Sequence, residues 1–135
     1  MGDRANFGFV QPNGNTIVLY GHWAGAQMLG KLADAVIAAR GRWNDPAYAT
    51  RIAISQIIGD QWNMETGFGL HVNEISDNEH KIAIVDWDQQ IFSLHEEDDF
   101  RNTDNKVRGM KNEAIFTMDL TTFCEKYALD GMLTV

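Results

Sequence analysis

The sequence predicts an α+β fold, a mostly antiparallel sheet with a helix pair packed on one face. Three observations carry this. An Asn13-Gly14 turn joins two strand-like runs at the start of the chain. Two alanine-rich helical stretches follow, separated only by Gly41-Arg42-Trp43-Asn44-Asp45. Apolar runs of strand type then recur at 67–72, 81–86 and 91–95. The element order is ββααβββ, then a strand and a helix. Strands grouped in hairpins around a helix pair favour helices on one face of an antiparallel sheet.

Ala5-Asn6-Phe7-Gly8-Phe9-Val10 sets Phe7 and Phe9 on one side of a strand with a repeat of two. Asn-Gly tolerates positive φ at both turn positions, so Thr16-Ile17-Val18-Leu19-Tyr20 is read as the returning strand of a hairpin. From Ala24 to Arg40, the residues Met28, Leu29, Leu32, Ala35, Val36 and Ala39 form an apolar stripe at helical spacing. Gly41 fits the position just past that helix, and Gly30 inside it marks close packing against another backbone. Asp45-Pro46 starts the second helix, with Asp45 as cap and Pro46 where no N–H is needed, and Gly59 ends it.

Trp62 and Met64 fall in a polar, glycine-containing loop. Phe68, Leu70 and Val72 share one side of the next strand. Lys81 to Asp86 is continuously apolar at its centre, as a strand in the middle of a sheet would be. Trp87-Asp88-Gln89-Gln90 turns, and Ile91 to His95 returns, so residues 67–95 read as a three-stranded meander. Arg101 to Asn112 is polar, without periodicity, and reads as the longest loop. Ala114 to Met118 is a short strand. Asp119 or Thr122 then caps a last helix whose apolar side holds Leu120, Phe123, Cys124 and Tyr127.

The 135 residues suit one domain spanning 1–135, large enough to bury a core without staples. No apolar run is long enough to cross a membrane. Met1 to Asn6 lacks a signal-peptide core, and the lone Cys124 cannot form an internal disulfide, so a cytoplasmic location is expected. Cys124 lies among helical apolar residues and reads as a small buried hydrophobe. The net charge of −8 is uneven. Residues 1–60 carry five Lys/Arg against four Asp/Glu, and residues 61–135 carry six against fifteen. This acidity argues against wrapping duplex nucleic acid, which needs a broad basic footprint.

The stretch Leu19-Tyr20-Gly21-His22-Trp23-Ala24-Gly25-Ala26 joins a strand to a helix and is the candidate site. An exposed helix start presents N–H groups to an anion. His22 can donate, Trp23 can stack, and Gly25 permits close approach of a ligand. Arg4, Arg42 and Trp43 would form the walls, guanidinium forks being well matched to phosphates. The same residues also suit purely structural work, with Trp23 as a core anchor and His22 as a satisfied histidine. This pocket requires the hairpin end and the helix link to lie at the same edge of the sheet. Asp86 and Asp88 could hold a divalent cation, or could simply be turn residues. The four histidines are scattered and no hydrolase motif is present, so neither a catalytic set nor a metal set is assigned and no cofactor is expected.

Gly2-Asp3-Arg4-Ala5-Asn6, Leu19-Tyr20-Gly21-His22-Trp23-Ala24-Gly25, Arg42-Trp43-Asn44-Asp45-Pro46-Ala47-Tyr48, Arg51-Ile52 and Thr66-Gly67-Phe68-Gly69-Leu70 resemble a family of small proteins of tailed phages and prophages. The resemblance spans residues 2–95 and implies a phage accessory role on the scale of anti-defence proteins. Some such proteins sequester cyclic nucleotide immune signals, and others block defence effectors by protein contact. The resemblance assigns no ligand residue.

The leading expectation is a non-enzymatic homo-oligomer that sequesters a small nucleotide-like ligand, the oligomer being expected from the exposed strand edges and the tryptophan content. One alternative is an acidic inhibitor that meets a defence effector through Glu96-Glu97-Asp98-Asp99. The other is a metal-dependent nucleotide-processing enzyme using Asp86 and Asp88.

Overall fold

A computed structural model describes residues 2–97 and 114–129 of the chain. The opening hairpin forms as expected, with β1 at Ala5–Val10 and β2 at Thr16–Gly21. Gly14 supplies the positive φ, 86°, that its turn requires. Helix α1 runs over Met28–Ala38 and α2 over Pro46–Ile58. Pro46 opens α2 and Gly59, at φ 63°, ends it, but the Asp45 side chain makes no capping bond. Then come β3 (Phe68–Val72), β4 (Ile82–Asp86), β5 (Ile91–His95), β6 (Phe116–Asp119) and α3 (Leu120–Tyr127). The Asp119 carboxylate caps α3, accepting the Thr122 N–H at 2.8 Å. The segment 101–112, expected to be a loop, lies outside the described residues.

The six strands form one sheet in the order β3-β2-β1-β4-β5-β6. Among the described residues only the central pair, β1 with β4, is parallel; the other four pairings are antiparallel. The fold is therefore α+β with a mostly antiparallel sheet, and β4 is central as its apolar run predicts. The expected meander of β3, β4 and β5 does not form. The helix pair returns the chain to the outer side of β2, which makes β3 an edge strand, and residues 73–81 then cross to β4.

That crossing is held by specific bonds. Thr16 N–H donates to Asn73 Oδ1 at 2.7 Å, and Asn73 N–H donates to the Thr16 carbonyl at 2.8 Å. Ile75 packs with Val18, Ile82 and Ile84 in a small apolar cluster separate from the main core. Asn6, fully buried, bonds the backbone of Ser76 and Asp77 and the side chain of Asn78. Strand alternation puts Asn6, Val18, Ile82 and Ile84 on one face, and Phe7, Phe9, Leu19, Ala83, Val85 and Phe92 on the other.

The second face carries the main core and receives the three helices of the described residues. Ala33 and Ala35 of α1, Ala39 just past its end, and Ala49 and Ala53 of α2 are fully buried, so small side chains let the two helices approach closely. Leu120, Phe123 and Cys124 of α3 complete the layer, and Phe123 stacks on Phe92 with centroids 4.0 Å apart. Trp87 stacks on Phe9 at 6.1 Å and donates its indole N–H to Thr50 Oγ1 at 3.0 Å. No helix among the described residues is long and apolar enough to cross a membrane.

Candidate functional site

The joint after β2 is longer than its sequence suggests. Helix α1 begins at Met28 rather than Ala24, and residues 22–27 form turns that end at Gln27, φ 57°. Three backbone bonds fix this path: Asp3 N–H to the His22 carbonyl at 2.8 Å, Gly25 N–H to the Asp3 carbonyl at 2.8 Å, and His22 N–H to the Gly67 carbonyl at 2.8 Å. Chain start, joint and β3 entry are thereby laced together. Gly30, at the start of α1, is covered by Leu129, whose N–H donates to Asp34 Oδ1 at 3.0 Å. The close packing at Gly30 is against a side chain, not against another backbone as expected. The expected anion cradle, with α1 N–H groups beside His22 and Trp23, is not built.

Gly25 does permit a close approach, but to the protein itself. His80 Nε2 and Asp3 Oδ1 meet at 2.5 Å over its α-carbon, where a Cβ would collide with both. Arg4 is also engaged. Its guanidinium lies 3.4 Å from Glu79 Oε1, and its backbone N–H donates to the same oxygen at 3.0 Å. Arg4 and Gly25 thus close the joint against residues 79–80. His22 shares a 2.8 Å hydrogen bond with the Tyr20 hydroxyl and presents its ring to Trp23 edge-on, 4.4 Å between centroids.

Arg42 and Trp43 lie at the other end of the sheet. Their link follows the C-terminus of α1, which spans about 16 Å over its 11 residues. Gln90 Nε2 donates to Asn44 Oδ1 at 3.2 Å, tying the link to the turn after β4. β4 is parallel to β1, so this turn lies by the end of β1, whereas His22 lies by its beginning. The six proposed residues therefore do not share one pocket. Trp43 is buried and donates its N–H to the Val36 carbonyl at 2.9 Å, with Arg40 over its ring at 4.9 Å. It has no face to offer a base. Arg42 sits over the Tyr48 ring at 5.1 Å.

Trp23 is different. It is 57% exposed, so it does not anchor the core. It borders a hollow of about 260 Å³, with Ala24, Lys31, Ile57, Gln61, Gly67 and Phe68. Gln61 and Phe68 also line an adjoining hollow of about 210 Å³ that reaches Trp62, Met64 and Leu70. Among the described residues, Lys31 makes no ion pair. The arrangement sets one broad aromatic surface, one cation and one amide around a groove with apolar walls. Lys31, Gln61 and Phe68 each belong to a different element, so no sequence motif joins them. Trp62 and Met64 were legible as large apolar residues in a polar loop.

A larger hollow, about 560 Å³, is lined among the described residues by Asn78, Glu79, His80, Lys81, Glu96 and Glu97. Its nitrogen-bearing side chains already face carboxylates: His80 meets Asp3, and Lys81 Nζ lies 2.9 Å from Glu96 Oε2. It offers little to an anion. Asp98 and Asp99 of the acidic run lie outside the described residues. Asp86 Oδ1 accepts the Gln89 N–H at 3.1 Å, which is turn chemistry. Among the described residues, no three His, Cys, Asp or Glu side chains gather as a metal site. Cys124 is buried beside the Ala33 carbonyl, and burial pushes its thiol up to about 12. No family model, curated protein or solved structure matches the chain.

Proposed function

We propose that the protein binds and sequesters a small, planar, anionic ligand of the nucleotide type in the hollow beside Trp23, without altering it chemically. The observation that carries this reading is a half-exposed indole at the mouth of a groove that also holds Lys31 and Gln61. A base stacked on an aromatic ring contributes about 1–3 kcal/mol. The Lys31 ammonium would meet a phosphate, and the Gln61 amide can both donate to and accept from a base edge. His22, held by Tyr20, sets the tilt of Trp23. The two adjoining hollows suit a ligand of nucleotide or cyclic dinucleotide size. In this reading the protein is a phage-type accessory factor that works as a homo-oligomer in the cytoplasm of an infected host, where removing a nucleotide immune signal needs affinity and no turnover.

The test is thermal melting with a panel of cyclic dinucleotides, mononucleotides and ADP-ribose derivatives. A ligand at a hundred times its Kd should stabilise the protein by about 2.7 kcal/mol. Trp23→Ala and Lys31→Ala should each clearly reduce the shift at the same ligand concentration while the proteins stay folded, and heat should release the ligand unaltered. Absence of any shift across the panel, with folded protein, overturns the reading. Recovery of a converted ligand overturns its non-catalytic part.

A further inference from the structure

We infer that strand β3 is the contact between two copies of this chain, which pair edge to edge about a two-fold axis centred on Leu70. This specifies the homo-oligomer of the function proposed above and is independent of its ligand. β3 ends the sheet, and among the described residues nothing pairs with its outer side. The direction of its backbone groups follows from its bonds to β2. The Gly67 carbonyl accepts from His22 N–H, and Asn73 N–H donates to the Thr16 carbonyl. Alternation then turns Gly69 and His71 toward β2 as well. Phe68, Leu70 and Val72 are left presenting three N–H and three C=O groups outward.

Soluble proteins protect such an edge with charge, proline or a bulge. Here the segment Thr66-Gly67-Phe68-Gly69-Leu70-His71-Val72-Asn73 contains no carboxylate, Lys, Arg or Pro. Its side chains on the helix-bearing face are Phe68, half-buried, Leu70, 55% exposed, and Val72, 59% exposed, with Trp62 and Met64 nearby. The segment complements itself. With Leu70 opposite Leu70 of a second copy, Phe68 faces Val72 and every outward donor meets an outward acceptor. His71 then lies opposite Gly69, which has room for it. The strand itself carries no carboxylate, so two chains of net charge −8 can pair along it without opposing acidic groups. A foreign strand could match the hydrogen bonds, but a second copy also matches the side chains and the charge pattern.

Sedimentation or light scattering on the full chain without nucleotide tests this, and is separate from the ligand assay. The wild type should have twice the mass of 15.2 kDa. Leu70→Pro removes an outward N–H and leaves the bonds to β2 in place, and Leu70→Lys places a charge at the axis; each should return the mass to a single copy with its folded circular dichroism retained. Ile115→Lys, which changes an exposed apolar residue beside the opposite edge strand, should remain a dimer. A wild type that stays at one chain's mass, or a dimer that survives both Leu70 changes, overturns the proposal. So does a dimer lost in Ile115→Lys and kept in the Leu70 variants.

Discussion

His80 Nε2 and Asp3 Oδ1 meet at 2.5 Å directly over the α-carbon of Gly25. One side-chain pair thus joins the start of the chain to the entry of β4, 77 residues later, across the joint that leads to α1. A β-carbon at position 25 would push that pair apart, and both partners are side-chain ends with room to swing outward. Gly25→Ala should break the His80–Asp3 contact and lower stability by up to about 1 kcal/mol, read as a small drop in melting temperature. Gly41→Ala is the matched control. Nothing lies within 4 Å of its added carbon, so it should be neutral or stabilising by up to about 1 kcal/mol.

The Thr50 hydroxyl serves two side chains. It accepts the Trp87 indole N–H at 3.0 Å and the Gln11 amide N–H at 2.9 Å, and Thr50 is buried. Thr50→Val keeps the shape and leaves the buried indole donor without an acceptor, which costs about 1–3 kcal/mol. Urea unfolding should show a lower midpoint with an unchanged slope, and Thr50→Ser should restore most of the loss.

Asp119 couples α3 to pH. Hydrogen bonds from the Thr122 backbone and side chain hold its carboxyl below its ordinary value of 3.8. A lowered folded value means that the stabilisation is present above 3.8 and is lost as pH falls through the folded value. Asp119→Asn keeps a capping oxygen without the charge. The difference in melting temperature between wild type and this variant should be flat above the carboxylate range and should shift against the wild type below it. A difference independent of pH would refute the coupling.

Cys124 should be silent in the native protein. Burial raises its thiol from 9.0 to about 12, so almost none is thiolate at neutral pH. A thiol reagent at pH 8 should label the chain only on unfolding. The sign of the linkage is opposite to that of Asp119: its share of stability is complete below pH 9 and is lost as pH rises toward 12.

Much of the candidate site was not legible from sequence, for a geometric reason. His22 and Trp23 are adjacent and were found together. Lys31, Gln61 and Phe68 come from α1, the turn after α2, and β3, and only folding brings them to one groove. Arg42 and Trp43 looked like site residues by type, yet the length of α1 carries them to the far end of the sheet. Residue type also could not separate Trp23 from Trp43, since indoles serve as core and as platform alike.

The sequence alone determined what depends on neighbours along the chain. Asn13-Gly14 determined the hairpin, Pro46 and Gly59 the limits of α2, Asp119 the start of α3, and the apolar stripes the face each helix buries. Only the tertiary structure decided what depends on distant partners: the parallel pairing of β1 with β4, the displacement of β3 to the edge, and the delayed start of α1. A period of two tells a strand which side chains share a face, but it does not say which strand lies alongside. That choice was made by Asn6, Asn73 and Ile75, whose contacts carry residues 73–81 from β3 to β4.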